Sequence, residues 1–358
     1  MKKINRYMVL GITLLPIVLQ ATCKETTTYE ITTGSKTGTY FQIGKNLAKY
    51  VAPKACIKLN VINSNGSLDN VYKLISAKYP KLKFAIVQND VLQELQRRAK
   101  QGEKKSKKLV NSLRVIKPLY DEEIHILAKA DSNISTFADL KGMRIAIGKP
   151  KSGTAMTSLL LYKELFGEKL TNYKAESFND SLKKLTRGGI DAIIKVAGQP
   201  VSRLSKGMNK GAEKVIKLLS YDEKNSEHNP IESYYTTEIY AKNYHWLKED
   251  MPSLSTKAFL VTYNYRNHGT TDKIKKFVKV LDSELPTLQK KSSTQSNTPH
   301  PKWKQVSTEC NPSLAGGWKY HNVVNEVCGS NGVKNISQGK ETDSSSCSSE
   351  DKILGLCE

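Results

Sequence analysis

Two short patterns in the chain carry residue types suited to covalent chemistry. Lys36-Thr37-Gly38 reads as K-T-G, and Ser181-Leu182-Lys183-Lys184 reads as S-x-x-K. In Ser/Lys acyl transfer these patterns are accompanied by an S-D-N element. No S-D-N occurs in this sequence, and Ser181 falls in a polar helical stretch where a serine is ordinary. His125, His228 and His245 have no nucleophile at a spacing that suggests catalysis, so each reads as a surface or structural residue. There is no C-x-x-C and histidine is sparse, which argues against a zinc site. The chain is not expected to be an enzyme, and no cofactor or metal is expected.

A second set of residues recurs with more order. Five segments end extended runs with small polar residues. They are Gly34-Ser35-Lys36-Thr37-Gly38-Thr39 leading to Tyr40, Ser64-Asn65-Gly66-Ser67, Gln88-Asn89-Asp90, Lys151-Ser152-Gly153-Thr154 and Ala197-Gly198-Gln199. Several lead directly into helices. A helix start offers unpaired N–H groups and partial positive charge, typically contributing roughly 0.3–1 kcal/mol to a bound anion. Glycine lets the backbone approach a ligand, and Ser and Thr donate without adding charge. Taken singly, each turn reads as an ordinary cap; five at corresponding strand ends point to a small anion. Nucleotide phosphates fit poorly, because "GSKTGTYF" lacks both the G-K-[ST] ending and the G-x-G-x-x-G spacing. Lys36 and Lys195 are further candidates, each as a partner for a ligand carboxylate.

Alternating strands and helices must position these turns. "YEITTG", "IKLNVINS" and "KFAIVQND" read as strands, the last nearly all apolar as in a buried parallel sheet. Tyr40, Ile43, Leu47, Ala48 and Val51 have helical spacing, as do Leu68, Val71, Tyr72 and Ile75. "RVIKPLYDEEIHILAKAD" reads as two extended runs broken at Pro118. "MRIAIG", a helix over 155–166, "YKAES", the helix "NDSLKKLTRGG" and the strand "IDAIIKVAG" repeat the pattern. Pro200 suits the first turn of a following helix. "SYYTTEIYA" and "KAFLVTYNY" are extended, and a helix from Asp272 should end near Pro286. The expected fold is α/β: two doubly wound lobes joined by hinge strands, with a Cys-rich C-terminal tail. Residues 24–127 and 236–290 would form the first lobe and 128–235 the second. Residues 291–358 would be a disulfide-tied or partly disordered extension with no core of its own.

Composition restricts the setting. The 358 residues carry a formal charge of +22, but only eight of the 56 basic residues are arginine, and the lysines are scattered. That suits a solvated surface better than a nucleic-acid reader, which leans on arginine forks. Lys2, Lys3 and Arg6 precede an apolar run from Tyr7 to Leu19, followed by Ala21: a secretory leader, residues 1–21, and a periplasmic destination. Lipid attachment at Cys23 is the rival reading, weakened by Gln20 and Thr22. Six cysteines, Cys23, Cys56, Cys310, Cys328, Cys347 and Cys357, fit an oxidising compartment. Short loops favour Cys310–Cys328 and Cys347–Cys357, while Cys23 and Cys56 each precede a strand and could lie side by side.

"TTGSKTGTYFQIGKNLAKYV", "NSNGSLDNVYKL", "FAIVQNDV", "ADLKGMRIAIGKPKSGT" and "DAIIKVAGQP" together resemble the TAXI-type solute receptors of TRAP transporters, over about Tyr29 to Leu285. The resemblance implies a periplasmic protein of two lobes that closes on a small organic acid or amino acid, often glutamate-like, and delivers it to a sodium-coupled permease. It implies first-lobe contacts from Gly34, Thr37, Gly38, Thr39, Tyr40, Ser64, Gly66 and Ser67, with Gln88 and Asp90 nearby. Second-lobe contacts would come from Ser152, Gly153, Thr154, Ala197 and Gly198. The sequence departs from the family at Ser35, Lys36, Thr37, Phe41 and Lys195, and the tail after Lys291 has no familiar counterpart. The expected partners are a small anionic ligand and the permease subunits, with no nucleic acid and the protein acting as a monomer. A sensory module, an exported enzyme and a surface structural protein are the alternatives. In a transport receptor, deleting the chain after Lys291 should leave binding intact.

Overall fold

The structure is a computed structural model that describes Cys23 and residues 25–222, 233–329 and 349–354. The leader, His228, Cys347 and Cys357 lie outside the described residues. The first three strands are β1 (Thr27–Thr32), β2 (Ile57–Ile62) and β3 (Leu82–Gln88). Between and after them come α1 (Thr39–Asn46), α2 (Ser67–Ile75), α3 (Asn89–Lys100) and α4 (Lys104–Ser112). A long strand, β4 (Leu113–Lys129), leads onward to β5 (Ile145–Ala146), α5 (Gly153–Phe166), β6 (Tyr173–Lys174) and α6 (Phe178–Thr186). β7 (Ala192–Ala197), α7 (Ser202–Ser205), β8 (Ile216–Leu218) and β9 (Tyr235–Ile239) follow. The chain then returns along β10 (Met251–Tyr263) into α8 (His268–Lys291), α9 (Asn322–Cys328) and α10 (Ser349–Leu354).

The strands form one mixed sheet in the order β2-β1-β3-β10-β4-β7-β5-β6, with β8 on β4 and β9 on β10. β1 to β3 pair in parallel at one end, and β5 to β7 do so at the other. The fold is therefore two α/β halves, joined by β4 and β10, which run antiparallel between them. Glu123 marks the crossing: it lies opposite Ser255 of β10 on one side and Ala197 of β7 on the other. Parallel strands with helices on their faces must bury both sides, and six of the seven residues of β3 are buried.

Proline placement differs from the sequence reading at three points. Pro118 does not break β4; it lies opposite Phe259, where the register with β10 shifts, so the bulge absorbs its missing donor. Pro200 precedes α7 rather than opening it, because side chains hold the amides on both sides, Gln199 N by Glu123 and Val201 N by the Tyr244 hydroxyl. Pro286 sits inside α8, whose last turns are kept by buried Leu285 and Leu288 and by the Gln289 amide, which donates to the carbonyls of Trp303 and Val306.

The segment after Lys291 is also more than a tail. Trp303 is fully buried, and Val306, Val323 and Val324 join it in the core around Ile31, Leu47, Phe84 and Phe277. The Trp303 indole N–H donates to Asn46 Oδ1 at 2.9 Å, and Val115 exchanges backbone bonds with Lys319 and His321. Deletion after Lys291 would open this core, so the expectation that such a truncation still binds does not follow from the fold. Disulfides join Cys310 to Cys328 and Cys23 to Cys56.

Candidate functional site

A cavity of about 300 Å³ lies between the two halves, at the carboxyl ends of their parallel strands. The first half supplies Gly34, Thr37, Gly38, Thr39 and Tyr40 from the β1–α1 turn, Ser64, Gly66 and Ser67 from the β2–α2 turn, and Gln88. The second half supplies Ser152, Gly153 and Thr154 from the β5–α5 turn, and Lys195 and Ala197 from β7. Three expected residues do not line it. Lys36 is exposed on its loop. Asp90 is buried behind the wall, accepting from Thr157 Oγ1 at 2.5 Å. Gly198 presents its carbonyl to Thr39 Oγ1 at 3.0 Å instead.

Local structure explains why the turns converge. Asn70, fully buried on α2, uses both ends of its side chain. Its Oδ1 accepts from Thr32 Oγ1 at 2.7 Å and Ser64 Oγ at 2.6 Å, and its Nδ2 donates to the carbonyls of Thr33 and Ile86. One amide thus ties together the ends of β1, β2 and β3. α1 and α2 begin at Gly38 and Gly66, and no side chain caps either. In the second half Ser152 and Ser177 accept from the amides of Ala155 and Asp180, so α5 and α6 carry their own caps.

The halves touch directly around the cavity. Gln88 Nε2 donates to Thr157 Oγ1 at 3.2 Å, and the Asp69 amide donates to the Lys151 carbonyl at 3.1 Å. Gly153 packs so closely that a Cβ there would fall 1.4 Å from Gln88 Oε1 and 2.7 Å from Ser67 Oγ. Gly66 opposes it with φ +124°, a backbone region that L side chains rarely adopt.

Charge in the cavity is uneven. Lys195 borders it from β7, and among the described residues no carboxylate lies within ion-pair distance of it. Burial lowers the tendency of its amine to hold a proton, and the field of Glu122 partly restores it. Lys149 and Arg203 are exposed on the rim. Glu122 faces the cavity from β4. Burial pushes its carboxyl up to about 8, against the opposing effects of the Tyr40 hydrogen bond and of Lys195. Tyr40 donates to Glu122 Oε2 at 2.5 Å, and burial followed by the Glu122 charge holds its phenol well above the usual range. A carboxyl shifted this far carries less charge near neutral pH than a free one and so repels an anion beside it less.

Sequence reasoning missed Glu122, Gly148, Lys149 and the start of α6 at Ser177, Phe178 and Asn179. The signal for Glu122 was available: "DEEIH" sets three acids beside the apolar runs of one strand, and buried charge demands a partner. Ser181 also borders the cavity, but its hydroxyl donates to the Ser177 carbonyl at 3.0 Å. His125 is fully buried, with Nδ1 at 3.0 Å from the Glu123 carbonyl and Nε2 at 2.8 Å from the Tyr244 hydroxyl. The carbonyl can only accept, so Nδ1 carries the proton and Nε2 accepts from Tyr244.

The model of the NMT1-like family matches residues 31–321. The chain belongs to the NMT1-like family. The family match continues past Lys291 and takes in Lys302 and Trp303, so part of the tail does have a counterpart. Among solved structures, the NMT1-like chain is similar to XAC2383 from Xanthomonas citri bound to chloride ion, at 11% identity and TM-score 0.48, over 84% of this chain and 96% of that one. It is similar to the periplasmic binding protein BugD at 10% identity and TM-score 0.46, over 80% and 90% of the two chains. A putative periplasmic sulfonate-binding protein, SsuA from Methylobacillus flagellatus KT, shares 14% identity at TM-score 0.43, over 81% and 76%.

Proposed function

We propose that this NMT1-like protein is an exported receptor that captures a small carboxylate between its two halves and delivers it to a membrane permease of the TRAP type. One observation carries the reading: Lys195 borders an interlobe cavity without a carboxylate in contact, so this half-buried cation lacks a contact counterion until an anion arrives. The open glycine starts of α1 and α2 and the hydroxyl of Thr37 supply further donors, while Thr39, Ser64 and Ser67 already donate within the protein. Two disulfides agree with an oxidising destination. Among the described residues no helix is long and apolar enough to cross a membrane.

The mechanism is closure around the ligand. β4 and β10 act as hinges between residues 24–127 with 236–290 and residues 128–235. An acid bridging the donors of the first half and Lys195 of the second favours the closed form, whose surface the permease reads. Native mass spectrometry of gently purified protein should reveal a retained small acid, which calorimetry should show rebinding unchanged. Recovery of a chemically converted product would point to an exported enzyme, and retention of a cation would sink the anion reading.

A further inference from the structure

Lys302 comes from the segment beyond α8, far in sequence from every cavity residue. Its side chain is nonetheless 3% exposed and forms an ion pair with Glu123, which is 1% exposed. Its ammonium also donates to Gln305 Oε1 at 3.0 Å. The second oxygen of Glu123 accepts the backbone N–H of Gln199 at 2.8 Å. Gln199 sits in the turn between β7, which carries Lys195 and Ala197, and Val201 to Arg203; both flanks line the cavity. At Gly198 the turn packs against the Lys302 stem and the Tyr120 ring, where an added Cβ would meet each at 2.9 Å. The rest of the turn is held from the other halves of the molecule: Thr39 on the Gly198 carbonyl, Tyr244 on the Val201 amide, and the Tyr240 and Asn243 donors on Gln199 Oε1, each at 2.9–3.0 Å.

We propose that Lys302 is a positioning residue of the cleft, which fixes the second-half wall by neutralising Glu123 and so holding the Gln199 amide in place. Adjacent residues of a strand face opposite sides. Glu122 therefore meets the cavity while Glu123 meets the C-terminal segment. The segment after α8 reaches this part of the binding wall through the Lys302 side chain, without lining the cavity itself. The inference rests on the reading of this cavity as the ligand site for its functional meaning; its physical test needs no ligand, so the two can fail separately.

The test is amide hydrogen exchange on the full chain, comparing the 197–203 turn with β10 and with the Gly34–Tyr40 turn. In Lys302→Met, exchange at Gln199 should rise about tenfold or more beyond any rise at Gly34–Tyr40, which reports the general loss of stability. Adding Glu123→Gln should restore slow exchange, because the amide oxygen still accepts from Gln199 and no charge is orphaned. Should Lys302→Met fail to fold, the double variants decide: Glu123→Ala with Lys302→Met must exchange fast at Gln199, and Glu123→Gln with Lys302→Met must not. A rise at Gln199 no larger than that at Gly34–Tyr40, or a failure of Glu123→Gln to restore protection, overturns the proposal.

Discussion

Glu122 and Glu123 are neighbours on β4, both buried, and their surroundings are opposites. Glu123 has a full complement: an ammonium on one oxygen and a backbone amide on the other. Glu122 has a tyrosine hydroxyl and, beyond contact distance, the field of Lys195. A paired buried charge cannot change state without cost, so it fixes structure. A buried carboxyl whose cation is held at a distance can exchange a proton or leave that cation to a newcomer. One strand thus carries a rigid joint on its back face and a responsive one on its cleft face, separated only by the alternation of the pleat.

Removing the cation from the rigid side should give the largest effect. Lys302→Met should destabilise the fold by about 3–5 kcal/mol, the usual result of breaking a buried pair from one side, measured by urea denaturation. A loss below about 1 kcal/mol would mean that Glu123 finds other compensation, and the contrast between the two acids would collapse.

The cleft side should respond to pH instead. The unfolded carboxyl of Glu122 titrates near ~4.3, whereas burial holds the folded one at about 8. The native state therefore binds this proton more tightly. Its contribution to stability is complete below the unfolded value and falls away as pH rises to about 8; the part lost between pH 6 and 8 is on the order of 3 kcal/mol. Asp90, pushed up to about 6 by burial, acts in the same direction over a lower range, so the comparison must be with a variant. In Glu122→Gln the decline between pH 6 and 9 should largely vanish. Affinity for a carboxylate should fall above pH 8 in the wild type, as Glu122 gains charge, and stay level in the variant. Parallel pH profiles in the two proteins would remove Glu122 from the site.

The sequence made the turns legible because they are local. The 3.6-residue spacing of Tyr40, Ile43 and Leu47 and the glycines before it announce strand, turn and helix within twenty residues. The two acids and their cations were harder, since Lys195 and Glu122 meet only once β4 and β7 lie near each other, and Lys302 meets Glu123 across 179 residues. Lys302 also sits in a stretch whose polar composition reads as tail, although Trp303 beside it carries enough apolar surface to anchor a core. The proline errors share that origin: Pro118 and Pro286 break local rules that a sheet bulge and buried leucines override.

The smallest effects separate the two candidate lysines. Lys195→Ala should weaken carboxylate binding by roughly tenfold, about 1.4 kcal/mol, the order expected for one charge-assisted contact. Lys36→Ala should change it less than about twofold, because Lys36 points from an exposed loop and contributes only a screened field. Raising the salt concentration sharpens the distinction. A distant surface charge is screened within about 10 Å at 0.1 M, whereas a contact inside the closed cleft is screened far less. The Lys195 loss should therefore persist at 0.5 M salt, and any Lys36 effect should disappear. A Lys36→Ala loss that matches Lys195→Ala and survives high salt would mean the first loop folds inward when the ligand binds, and the first half would then supply a cation as well as neutral donors.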